Sequence, residues 1–256
     1  MNVQDIMMLI DAIAPFSSQE EWDNSGLLIG APYDPVQNIL FALDVTDPVI
    51  HEAIMRNASL IVTHHPLMFS PRRRITEDDM EGRLIRQLIR HGISLISAHT
   101  NLDRAPGGVN DALALQCGLL NISGEGFFRN GSLPELLTVR DYADQLASSL
   151  SCAVRIMGPS DRIVTRVGVS SGSGGDLWAE AVEAGCNVFI TGEMKHHIAL
   201  SAADAGLVVL ECGHYATEYP GICALAETLQ KTLNQLQCNL GIYLSEVPAY
   251  SFFQQP

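Results

Sequence analysis

The 256-residue sequence predicts an α/β fold of two similar, tightly packed lobes with mixed, largely parallel sheets. Three observations carry this expectation. Short apolar runs of strand type alternate with amphipathic helical segments, the pattern of βα units laid around a sheet. The pattern recurs: Glu52-Ala53 stands eleven residues before Thr63-His64, and Glu180-Ala181 stands eleven before Thr191-Gly192. His99-x-x-x-Asp103 is likewise mirrored by His214-x-x-x-Glu218, each behind an apolar run that follows a glycine, Gly92 or Gly206. A duplication of this kind relates the halves by a pseudo-twofold and turns their strand ends toward a shared cleft.

The elements follow in order. Ile6, Leu9, Ile10 and Ile13 recur at helical spacing behind Asn2 as a cap, and Pro15 ends the helix. A polar turn leads into a short apolar strand that closes at Gly30. Strands are expected at 38–45, 60–63 and 93–98, with helices at 47–56, 79–90 and 107–117 between and after them. The stretch 118–134 is rich in Gly, Asn and Ser, lacks periodicity, and reads as the passage into the second lobe. The lobes are accordingly placed at 1–125 and 126–256, and the C-terminal segment can pack back on the first. In the second lobe, helices are expected at 138–150, 176–184, 195–205 and 217–236. Its strands are expected at 153–157, 163–169, 187–191, 207–211 and 240–247.

Composition bounds the partners. Apolar residues make up 47% and charged residues 17%, as in a well-packed globule. A net charge of −14 argues against nonspecific nucleic-acid binding, which needs a basic face for counterion release. Cations are the natural partners, and an anionic substrate needs a local basic patch. The six scattered cysteines form no C-x-x-C pair, which points to a reduced, cytoplasmic setting. The start of the chain has no basic run of signal-peptide type, and no apolar run reaches the roughly 20 residues of a membrane span.

The chain is organised around Leu60-Ile61-Val62-Thr63-His64-His65-Pro66. Neighbouring side chains on a strand point to opposite faces unless the backbone turns, and Pro66 favours such a turn by stopping the ladder. Collecting ligand-type residues at strand ends gives His64, His65, His99, Asp103, His214 and Glu218. Imidazoles and carboxylates without thiolates suit Zn, Mn, Fe, Co or Ni. Carboxylates can bridge a metal pair about 3.5–4 Å apart, an arrangement that serves hydrolysis. Each residue also has a plain structural role open to it: Asp103 as a helix cap, Glu218 in the favourable first turn of a helix. Gathering at the carboxyl ends of strands favours a site, because open α/β sheets bind ligands there.

Five segments carry a family resemblance. They are Trp22-Asp23-Asn24-Ser25-Gly26-Leu27, Thr63-His64-His65-Pro66, His99-Thr100-Asn101-Leu102-Asp103, Thr191-Gly192-Glu193-Met194-Lys195-His196-His197 and Gly213-His214-Tyr215-Ala216-Thr217-Glu218. In this order they resemble the GTP cyclohydrolase I type 2 homologue family, the NIF-three-like dinuclear metal centre proteins, in its compact form without a central insertion. The resemblance implies two divalent metal ions per chain, held by His64, His65, Asp103, His214 and Glu218. It also implies a homohexamer built as a toroid of dimers. The first reaction it suggests is a hydrolysis of the GTP cyclohydrolase type on a nucleotide-like substrate. A two-metal phosphoesterase, or a metal-binding or regulatory protein without dedicated catalysis, are the alternatives, because function lives in the site and not in the fold.

Glu193, His196, His197 and His99 are the candidates for proton transfer, since histidine titrates near neutral pH. For the three residues around 195, a glutamate at a helix N-terminus beside solvent-facing histidines is the competing reading. Arg72-Arg73-Arg74, just beyond the histidine pair, either holds a phosphate or forms a loop or subunit contact. Ser170-Ser171-Gly172-Ser173-Gly174-Gly175 lacks the Lys-Ser/Thr ending of a P-loop and reads as a tight turn. Cys212 reads as a small buried residue.

Overall fold

The computed structural model describes residues 1–247. They form two compact units: Met1–Ala105 together with the chain from Ile222 onward, and Pro106–Gly221. The boundary therefore falls before the 118–134 stretch and not within it. The C-terminal segment belongs to the first unit.

The first unit opens with α1 (Val3–Ile13), whose Asn2 and Asp5 exchange side-chain and backbone hydrogen bonds in a capping box. Strands β1 (Gly26–Ile29) and β2 (Asn38–Ala42) follow, then α2 (Asp47–Met55), capped by Thr46 with Pro48 in its first turn. Next come β3 (Leu60–Thr63), α3 (Met80–His91), β4 (Ser94–Ser97) and the single-turn α4 (Thr100–Arg104). Gly92 ends α3 at φ 65°, a left-handed cap that turns the chain straight into β4.

The second unit holds α5 (Val109–Gln116), β5 (Leu120–Ser123), β6 (Arg129–Ser132), α6 (Val139–Ser149), β7 (Arg155–Met157) and β8 (Val167–Ser170). It continues through α7 (Trp178–Glu183), β9 (Val188–Thr191), α8 (His196–Asp204) and β10 (Val208–Glu211). Helix α9 (His214–Gln235) carries the chain back to the first unit, where β11 (Gly241–Leu244) ends the described elements.

Both sheets are mixed. The first has the order β1-β4-β3-β2-β11, with β4, β3, β2 and β11 parallel and only β1 antiparallel. The second has the order β5-β6-β8-β9-β10-β7, a parallel centre of β8, β9 and β10 with antiparallel strands at both margins. Strand β3 is buried at every residue, as a central parallel strand covered on both faces must be.

The 118–134 stretch holds two strands, contrary to its reading as irregular passage. Hydrophobic alternation is missing because β5 is a mostly exposed edge and β6 buries polar residues. Arg129 of β6 is paired with Asp111, and the side-chain oxygen Oδ1 of Asn130 accepts from Ser123 Oγ at 3.0 Å and from the Arg166 guanidinium. Asp111 and Arg166 lie outside the stretch, so no local pattern announces the strand. The long final helix begins at His214 and not near 217, which sets His214 and Glu218 one turn apart on one helix. The strand expected at 163–169 is displaced to Val167–Ser170, and that expected at 240–247 ends at Leu244.

The internal repeat is visible in the hydrogen bonds of each unit. Ala98 N–H donates to the Thr63 carbonyl at 2.9 Å, and Cys212 N–H donates to the Thr191 carbonyl at 2.9 Å. Both bonds extend a parallel ladder by one step past its last pair, Thr63 with Ser97 and Thr191 with Glu211. By this register the position equivalent to His99 is Gly213, and His214 comes one residue later. Gly213, at φ 85°, supplies the left-handed step that accommodates the offset.

Candidate metal centre

The first unit gathers imidazoles at the carboxyl ends of β3 and β4. His64 and His65 keep the ladder going, with N–H bonds to the carbonyls of Ala42 and Leu43 at 3.3 and 3.0 Å. Thr63 Oγ1 donates to the His65 carbonyl at 2.8 Å, closing a turn over the pair. The backbone bends there, and the two rings come to the same side with centroids 5.1 Å apart. His99, one residue past Ala98, joins them at 5.1 Å from His64 and 5.6 Å from His65. One ligand atom from each of the three imidazoles lies within 4.8 Å of the others.

Hydrogen bonds select which nitrogen that atom is. His64 Nδ1 donates to the Ala98 carbonyl at 2.9 Å, His65 Nδ1 to Asp44 Oδ1 at 2.7 Å, and His99 Nδ1 to Asp23 Oδ1 at 2.8 Å. With Nδ1 protonated, Nε2 carries the lone pair, as metal-binding imidazoles require. Asp103, held on α4 by its N–H bond to the His99 carbonyl at 3.0 Å, brings Oδ1 to 3.5 Å from the buried His64 Nε2.

Asp23 is the electrostatic anchor of this part. Burial works against its charge, yet hydrogen bonds from the His99 ring, from Thr100 and from the Asn24 N–H hold its carboxyl well below the usual carboxylate range. It accepts from the Thr100 N–H at 3.0 Å and also from the Thr100 hydroxyl. One carboxylate thus orients His99 and caps the start of α4, the helix that carries Asp103. Neither Asp23 nor Asp44 was singled out in the sequence. Asp44 was within reach of the strand-end rule, two residues past β2, while Asp23 lies in a turn quoted only for its resemblance.

The second unit brings His214 and Glu218 together at the start of α9. His214 Nε2 and Glu218 Oε2 lie 3.1 Å apart, and His214 Nδ1 donates to Glu193 Oε1 at 3.0 Å. Glu193 in turn accepts from Ser173 Oγ at 3.0 Å, so the loop after β9 and the loop after β8 both support the imidazole. Glycines make room for this group. A Cβ on Gly172 would stand 2.0 Å from Glu218 Oε1, and one on Gly192 would stand 2.5 Å from the Gly172 carbonyl. Thr217 Oγ1 accepts from the Gly172 N–H at 3.0 Å, tying the glycine loop to the start of α9.

His196 and His197 open α8 with exposed side chains, and nothing among the described residues brings them to the imidazoles. Arg72 is spent internally, its guanidinium paired with Glu81 and with Asp79 at 2.5 Å, while Arg73 and Arg74 are exposed. Cys212 is buried, and its Sγ lies 3.8 Å from the Leu210 carbonyl.

Fold and residues together define an α/β protein whose clustered imidazoles and carboxylates suit a borderline transition metal. Each of these imidazoles meets an oxygen at Nδ1, and among the described residues no cysteine stands in the clusters. A family model described as Duf34/NIF3 (NGG1p interacting factor 3) matches residues 1–249, and the chain belongs to that family. The GTP cyclohydrolase 1 type 2 homolog of Clostridium acetobutylicum is 31% identical over 265 residues, covering 98% of this chain and 99% of that one. Its counterpart from Clostridium perfringens is 34% identical over 244 residues, covering 91% and 93%. The crystal structure of Staphylococcus aureus protein SA1388 matches with a TM-score of 0.95 at 31% identity, covering 100% of this chain and 99% of that one. Among the described residues no helix is long and apolar enough to cross a membrane.

Proposed function

We propose that the protein is a cytoplasmic dinuclear-metal-dependent hydrolase acting on a nucleotide-like substrate, with ring opening of the GTP cyclohydrolase type as its first candidate reaction. The observation that supports this most is the common state of four imidazoles. His64, His65, His99 and His214 each give Nδ1 to an oxygen acceptor and keep Nε2 as the basic atom. Four satisfied core histidines would have no reason to share one tautomer. His64, His65, Asp103, His214 and Glu218 would hold two divalent ions, Zn, Mn, Fe, Co or Ni. Such a pair, when bound, supplies Lewis-acid polarisation and acidifies water near neutral pH.

The chain's own residues have separable roles. Asp44, Asp23 and Glu193 position imidazoles through Nδ1. Of the residues proposed for proton transfer, His99 and Glu193 sit against the imidazoles, and we assign the role to them in preference to His196 and His197. Glu193 is half exposed and open to solvent. His99, backed by the Asp23 carboxylate at Nδ1, presents Nε2. The family resemblance extends to assembly, and a toroidal homohexamer is part of the same reading. Exposed Met55, Ile89 and Leu136 are apolar surface that subunit contacts would cover.

Metal content and turnover test the proposal together. Elemental analysis after anaerobic reconstitution is expected to return two ions per chain, and a nucleotide panel is expected to show turnover that a chelator abolishes. One ion or fewer at saturating metal counts against the dinuclear centre. Two ions without turnover of any nucleotide would leave a metal-binding protein and remove the hydrolase.

A positioning role for Asp23 has its own signature. Asp23→Asn keeps the size of the side chain but can present an amide N–H to His99, favouring the wrong tautomer. Metal affinity is expected to fall about 10–100-fold. Unchanged affinity by competition with a chromophoric chelator would reduce Asp23 to a helix cap.

A further inference from the structure

Next to the histidines stands an aromatic pair with no structural work to account for its exposure. Trp22 and Phe69 have ring centroids 5.6 Å apart at 34°, and they remain 57% and 52% exposed. Each meets His99 edge-on, at 6.1 and 5.9 Å, so the pair borders the imidazole cluster directly. Two loops are tied together to make it. Asn24 Nδ2 donates to the Met68 carbonyl at 2.7 Å, joining the turn that carries Trp22 to the loop that carries Phe69. The adjacent Asp23 is anchored on His99 and Thr100, which fixes the turn from its other side. Large aromatic faces held rigidly in water at a candidate site are a stacking platform, since every planar heteroaromatic ring offers a matching face.

Phe69 also lines an open cavity of about 580 Å³, together with Leu67, Pro71, Arg73, Arg74 and Glu81. This is within the usual range for small-ligand pockets. Its charge has been sorted by the fold. Arg72 neutralises Asp79 and Glu81 and, through Nε, holds the Arg74 carbonyl at 3.2 Å. Arg73 and Arg74 have no ion-pair partner among the described residues and stay exposed. In a chain of net charge −14 they form a local basic patch beside an aromatic shelf.

We infer that Trp22 and Phe69 stack the ring of a nucleotide while Arg73 and Arg74, and not Arg72, bind its phosphates. The inference deepens the proposed function by naming how that substrate class is recognised, but binding at the shelf does not itself require the metals. Trp22 and Phe69 are specificity residues for the ring. Arg73 and Arg74 are anion-binding residues, and Arg72 is the brace that shapes their loop.

Calorimetric titration of the metal-reconstituted full chain with GTP, guanosine and inorganic triphosphate separates these parts. Trp22→Ala and Phe69→Ala are each expected to weaken GTP and guanosine by roughly tenfold or more, with triphosphate affinity unchanged. The double variant Arg73→Ala/Arg74→Ala should weaken GTP and triphosphate and spare guanosine. Equal losses for GTP and triphosphate in the aromatic variants would overturn the stacking role. A change of particle size in the arginine variant with unchanged triphosphate affinity would overturn the anion role and make the loop a subunit contact. Trp22→Phe, which keeps a ring, should retain most of the GTP affinity; a loss as large as that of Trp22→Ala would overturn stacking as the cause. Metal content, measured on the same samples, reports separately on the dinuclear reading: nucleotide binding that depends on Trp22 in a chain without two ions would sustain the shelf and sink the hydrolase.

Discussion

Glu218→Gln is expected to strip at least one metal ion from the reconstituted protein and abolish any hydrolysis, with the fold intact. Glu218 is 5% exposed and lies in the first turn of α9, with Oε2 at 3.1 Å from His214 Nε2. Two roles are open to a carboxylate in that place. Interaction with the helix dipole would contribute only about 0.3–1 kcal/mol, and its loss would leave metal content unchanged. Metal binding needs the negative charge itself, which glutamine lacks at nearly the same size. Each unit has its own buried apolar cluster, and a chain of this length can bury a sufficient core, so the fold is expected to survive the substitution. Elemental analysis beside a thermal melt decides the matter. A Glu218→Gln protein that keeps two ions and full turnover would defeat the assignment.

Gly172→Ala should disturb the same His214 and Glu218 pair from the backbone side. The added Cβ would stand 2.0 Å from Glu218 Oε1 and 3.3 Å from His214 Nε2. The obstructed atom is the end of a flexible side chain, which can swing away at little cost to stability and at full cost to coordination. Gly172 also has φ 54°, where alanine pays roughly 1–2 kcal/mol. Gly118→Ala is the matched control, since φ is 76° there and a Cβ meets nothing within 4 Å. Both variants are expected to lose similar stability in denaturant, and only Gly172→Ala to lose metal. Equal metal content in the two would show that the glycine serves the turn and not the carboxylate.

The readable part of this protein was periodic or strand-terminal. Alternating helices and apolar strands gave the class, because βα units leave their spacing in the sequence whatever they pack against. Ligand-type residues at strand ends gave His64, His65, His99, Asp103, His214 and Glu218, because parallel sheets deliver side chains to their carboxyl edge. Strands β5 and β6 left no such trace, since an exposed edge and a strand of buried Arg, Asn, Gly and Ser carry no alternation. The repeat was legible, yet off by one at His99, because the left-handed step at Gly213 is a backbone choice that spacing does not reveal.

Family, fold class and the cast of candidate ligands could be read from one dimension, where local propensity and motif spacing reside. The chemistry of those ligands could not. Asp23 reaches His99 across 76 residues, and Asp44 and Glu193 each reach an imidazole across 21. These contacts follow from strand register and loop anchoring, which only packing establishes. The same holds for Arg72, which two identical neighbours make indistinguishable in sequence and two carboxylates set apart in space. Which nitrogen of each histidine is basic, and which arginine remains to meet an anion, are properties of partners that only the tertiary structure brings into hydrogen-bonding distance.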